Sequence, residues 1–113
     1  MKTHETKTLK RVGGRSIEID LKMVDLIQAL WDFGVDTTYC CEGTGKVSAY
    51  IAFETLLDWH HAYDLLDAAR SFGWEWLVVE TCPAPRSFVV YFPTQDIDRA
   101  LAAVQASQER PQP

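Results

Sequence analysis

The spacing of apolar residues changes several times along this chain, and each change marks an element. After a polar start, Leu9-Lys10-Arg11-Val12 and Ser16-Ile17-Glu18-Ile19 flank Gly13-Gly14. Glycine tolerates positive φ, so two short strands joined by a tight turn are predicted. Ile17 and Ile19 alternate about Glu18, which gives the second strand one buried side. The spacing then becomes helical. Met23, Val24, Ile27, Leu30 and Trp31 recur at three and four residues. Asp20 is placed to cap the first turn and Gly34 to end the last, so a helix over 21–33 is predicted.

Val35 to Cys41 reads as a strand, Glu42-Gly43-Thr44-Gly45-Lys46 as a turn, and Val47 to Phe53 as the returning strand. Tyr50-Ile51-Ala52-Phe53 is apolar on both faces, as in a central strand or one covered from both sides. Thr55 and Asp58 form a capping box with Asp in place of Glu. Leu56, Trp59, Tyr63, Leu66 and Ala69 mark the buried stripe of a second helix that runs to about Ser71 and stops at Gly73. Trp74 to Thr81 and Ser87 to Phe92 are strands on either side of the turn Cys82-Pro83-Ala84-Pro85, whose prolines fix φ and remove donors. Pro93 and Thr94 open a third helix with Ile97, Leu101 and Val104 on one side. The order is ββ-α-ββ-α-ββ-α. Hairpins alternating with helices predict an α+β fold, an antiparallel-rich sheet with three helices in a single domain over residues 1–113. Residues 1–7 and 108–113 are expected to be flexible tails.

Composition narrows the class. A chain of 113 residues that is 47% hydrophobic and 24% charged can bury a core without disulfide staples. Its formal net charge of −5 argues against nucleic acid, which usually selects a basic excess. The N-terminus has no apolar region of the signal-peptide kind, and no apolar run is long enough to cross a membrane. Three cysteines, two of them adjacent, do not form a secreted disulfide framework, so a reducing cytoplasm is expected. No motif requires a cofactor.

The stretch Cys40-Cys41-Glu42-Gly43 is the least ordinary part of the chain. Adjacent strand residues point to opposite faces, so one thiol should enter the core and the other should face out. A carboxylate beside a thiol disfavours the thiolate, which argues against a catalytic cysteine. Zinc would need Cys40 or Cys41, Cys82, and His60 or His61 to converge from three elements without paired knuckles. His60 and His61 lie four and three residues before Asp64, where a carboxylate can orient an imidazole, or merely share a solvated helix face with it. Gly43-Thr44-Gly45-Lys46 is far short of a phosphate-binding loop, because it leads into a strand, although its N–H groups could form a small anion nest. Cys41, Glu42, Gly43, Thr44, Gly45, Lys46, His60 and His61 are therefore the candidate ligand-binding residues. Trp74 and Trp76 share one face of a strand. Core packing is their default, and an interface patch is the alternative.

Several segments together resemble a group of small uncharacterised proteins of actinobacteria and their phages. They are Ile19-Asp20, Leu30-Trp31 with Gly34-Val35, Thr37, Cys41-Glu42-Gly43, Tyr50-Ile51-Ala52-Phe53, Trp74-Glu75-Trp76, and Phe92-Pro93 with Asp96. That group typically carries serine where this chain has Cys40. The corner is also similar to one in the tRNA wybutosine-synthesising protein 3 family, which uses S-adenosylmethionine on tRNA. This chain has Thr44 where that family usually has arginine. The first resemblance implies an accessory protein of a phage or mobile element. The second implies an enzyme related to S-adenosylmethionine or RNA at the corner. The expected role is a cytoplasmic binding protein for an unidentified protein partner, with a homodimer formed through an exposed sheet face or edge. The alternatives are a small-molecule enzyme at the corner and a zinc-binding module.

Overall fold

The computed structural model describes residues 5–10, 16–44, 46–66, 73–79 and 87–108. In chain order the elements are β1 (Thr6–Lys10), β2 (Ser16–Asp20), α1 (Val24–Asp32), β3 (Thr37–Cys41), β4 (Ala49–Phe53), α2 (Leu56–Leu65), β5 (Glu75–Val79), β6 (Ser87–Phe92) and α3 (Ile97–Gln108). Short 3-10 turns over Leu21–Met23 and Thr94–Asp96 lead into α1 and α3. The order is the one the hydrophobic pattern predicts. β1 begins at Thr6, within the segment expected to be a tail, because Thr6 and Lys7 pair with Asp20 and Ile19. The expected turn at Gly13-Gly14, the end of the second helix and the Cys82–Pro85 turn lie outside the described residues.

Two antiparallel sheets form. β1 and β2 make a hairpin, and the other four strands follow the order β3-β4-β6-β5. The doubly apolar β4 is central, between β3 and β6. Pairing of Ile51 with Val90, and of Val90 with Trp76, sets one face of this sheet against the helices. Leu26 and Leu30 of α1, Ala62 of α2, and Ala100 and Val104 of α3 share a core there with Ile51, Phe53, Val90 and Phe92. Tyr50 and Tyr91 stand together on the other face, with ring centres 5.8 Å apart. Ala52 and Val89 are also buried on that face but lie outside this core cluster.

Local chemistry sets the ends of the helices. After α1 the N–H groups of Gly34 and Val35 bond the carbonyls of Trp31 and Leu30 at 2.9 and 3.0 Å. Gly34 has φ 81°, and Val35 and Leu30 are fully buried, so the end is a Schellman motif with its hydrophobic contact. Thr55 caps α2 by accepting the Asp58 N–H at 3.1 Å, and its hydroxyl donates to Asp58 Oδ2 at 2.8 Å. Asp58 Oδ1 accepts the N–H of Asp36, which ties the first turn of α2 to the start of β3. Asp20 precedes the turn into α1 but makes no capping bond to it. Its carboxylate is used elsewhere.

The tryptophans bind elements together. Trp31 Nε1 donates to Thr37 Oγ1, Trp59 Nε1 to the Val89 carbonyl, and Trp74 Nε1 to Asp96 Oδ2 at 2.9 Å. Trp74 and Asp96 are both buried, and Trp74 packs on Phe92 with ring centres 4.9 Å apart. Trp74→Phe keeps that packing and removes the donor. Urea denaturation should show a loss of about 1–3 kcal/mol, the usual cost of leaving a buried acceptor short of one partner. An unchanged midpoint would mean that Arg99, 3.5 Å from the other Asp96 oxygen, satisfies the carboxylate alone.

Candidate functional site

The corner after β3 is built from three parts of the chain. The Glu42 N–H donates to Asp20 Oδ2 at 3.0 Å, so the end of β2 is held by a side chain. The Glu42 carbonyl accepts the Thr94 hydroxyl at 2.7 Å, which fixes the approach to α3. The Glu42 side chain is buried, and Oε2 lies 3.8 Å from Lys22 Nζ at the approach to α1. Glu42 is therefore a brace between β2, the start of α1 and the start of α3.

Gly43 makes the brace possible. Its φ is 70°, a region open to glycine and strained for other residues. A Cβ here would meet the Val47 carbonyl, Thr94 Oγ1 at 2.6 Å and Ala49 N at 2.7 Å. The Gly43 N–H faces Cys41 Sγ at 3.5 Å. The Thr44 N–H bonds the Val47 carbonyl at 2.9 Å, and the Thr44 hydroxyl accepts the N–H groups of Lys46 and Val47. The turn thus closes on itself. Thr44 and Lys46 are exposed, and Gly45 lies outside the described residues.

The two thiols divide as strand geometry requires. Cys40 pairs with Ile51 and packs on the core, whereas Cys41 pairs with Tyr50 on the other face. Both are half-buried and free. Burial, reinforced by the Asp20 carboxylate and Cys41, pushes the Cys40 thiol up to about 12 against an ordinary 9.0. It therefore stays protonated near neutrality and is a poor nucleophile.

His60 and His61 are exposed on α2, and the His60 ring lies edge-on to Trp59. The first turn of α2 is tied to the start of β3, and the corner follows its end, about 20 Å away at the rise of an extended strand. Among the described residues no group of three or more His, Cys, Asp or Glu could hold a metal ion, and Cys82 lies outside them. Trp74 is buried on Asp96. Trp76 is half-buried and meets Tyr63, Trp59 and Phe53 at 5.0, 6.0 and 6.4 Å between ring centres.

Beside the corner lies a feature that the residue pattern did not announce. β2 and β3 belong to different sheets, and no hydrogen-bonded ladder joins them. Their C-terminal ends meet where the Glu42 N–H bonds Asp20. Away from that point they enclose a cleft of about 440 Å³, lined by Ser16 to Ile19, Thr37 to Cys40, and Glu54. A pocket on a sheet face would be lined by alternate residues. Consecutive lining residues on both strands mean that the cleft follows the strand edges. At its open end the Glu54 N–H bonds the Asp36 carbonyl. The β3–β4 register shifts between Thr37 and Tyr39, so Thr38 is a bulge residue in the cleft wall. Only the unpaired status of β2 and β3 could have indicated this cleft, and pairing is not written in local spacing.

No protein-family model, no curated protein and no solved structure matches this chain. Among the described residues no helix is long and apolar enough to cross a membrane.

Two of the glycines with positive φ, Gly34 and Gly43, test the brace. A Cβ on Gly34 meets nothing within 4 Å, so Gly34→Ala should lose only about 1–2 kcal/mol of backbone preference. Gly43→Ala carries that loss plus displacement of backbone atoms and should lose about 3–5 kcal/mol. Equal losses in urea denaturation would show that the corner yields and does not brace.

Proposed function

We propose that this chain is a small cytoplasmic binding protein whose ligand seats between β2 and β3. The observation that carries the reading is the cleft, about 440 Å³ between two strands that no ladder joins. Its volume is in the range of ligand-holding clefts, about 300–1,000 Å³. The groups that would have to perform chemistry at the corner already hold the fold. Glu42 binds Asp20, Thr94 and Lys22, and the Gly43 backbone is enclosed. The thiol in the cleft wall keeps its proton. Free Cys40 and Cys41 suit a reducing compartment. The resemblance to the actinobacterial and phage group supports an accessory role. A fragment screen by amide NMR tests the site. Hits should shift Ile17, Glu18, Thr38 and Tyr39. Hits confined to Thr44–Lys46 or to His60 and His61 would overturn it.

A second copy of the chain is the second reading for a partner, favoured by β5. This strand forms the outer edge of the sheet, and Leu77 and Val78 on it are 41% and 46% exposed. Edge-to-edge pairing of β5 about a twofold axis would bring both residues against the second copy. Light scattering should show the mass doubling with concentration, and Leu77→Lys should restore the monomer. A constant monomer mass removes this reading.

A further inference from the structure

We infer that the occupant of the β2–β3 cleft is an extended, positively charged stretch of polypeptide that adds to the edge of β3 turned away from β4 as a short strand. The inference rests on the binding reading above and specifies the ligand. Three observations carry it.

The first is what lines the cleft. Consecutive residues on both strands bring main chain to the wall. An edge strand directs every second N–H and C=O away from its partner, and among the described residues β3 pairs with β4 alone. Another main chain satisfies such a row in register.

The second is charge. Among the described residues, the charged ones that line the cleft are Glu18 and Glu54, and both are exposed. Lys7 and Lys10 belong to β1, one strand beyond β2. On a chain of net charge −5, two carboxylates along a cleft favour lysine or arginine side chains on an inserted strand.

The third is extent. The strands converge where Glu42 bonds Asp20, and the bulge at Thr38 interrupts the regular edge. Both features limit pairing to a few residues. The cleft can accept a short segment and yet resist open-ended sheet growth. Tyr39, 74% exposed on the wall, offers a ring for an aliphatic stem or a cation to lie against.

The test uses the whole chain and synthetic peptides of about six residues, a typical strand length. A peptide alternating lysine and valine should bind in low salt and shift the amides of Thr38, Tyr39 and Glu18. Replacing the central valine with proline removes a main-chain donor and should weaken binding about tenfold. The protein variant Glu18→Gln with Glu54→Gln should weaken the lysine peptide about threefold to tenfold, and should reduce the dependence of binding on added salt. Equal binding of a glutamate–valine peptide would overturn the charge argument. Equal binding of the proline peptide would overturn strand addition. If fragments shift the cleft amides and no lysine peptide binds, this inference fails while the binding site stands. If neither shifts them, both fail.

Discussion

The structure depends on one residue pair at the end of β3. Glu42 contributes its N–H to β2, its carbonyl to the approach to α3 and its carboxylate to Lys22 ahead of α1. Gly43 lets the chain turn so closely beneath these bonds that a single methyl group would displace the Val47 carbonyl and the Ala49 amide. Two helices and the hairpin are positioned by this corner. Its polar groups are partnered within the fold.

The same brace explains why the hairpin does not extend the four-stranded sheet. Asp20 holds Glu42 through a side chain, and β2 and β3 make no ladder. A carboxylate can fix a point of contact, whereas a ladder would have to align whole strands. With one anchored end and no register beyond it, the strands enclose a cleft. The edges of both strands border this cleft, and the exposed carboxylates of Glu18 and Glu54 lie along it.

On the helix-packed face the indoles perform a second kind of tying. Trp74 connects the start of β5 to Asp96, and Trp59 connects α2 to β6. Trp76, Trp59, Tyr63 and Phe53 form a continuous ring cluster under α2. The large aromatic content thus finds much of its use in joining layers, with each polar N–H named here satisfied as it is buried.

The local pattern determined much of the architecture. Helical spacing of Met23, Ile27 and Leu30, the glycine stop at Gly34, the Thr55–Asp58 cap and the doubly apolar run at Tyr50–Phe53 all act over a few residues, and the elements follow from them. Cys40 and Cys41 took opposite faces because a pleated strand allows nothing else. Tertiary structure decided what crosses the chain. Asp20 looked like a helix cap, yet its carboxylate receives the N–H of Glu42, 22 residues away. His60 and His61 were grouped with the corner by residue type, and the fold tied their helix to the other end of β3. The cleft was illegible for the same reason. It is a property of two strand edges that fail to pair, and only the assembled fold specifies which edges meet.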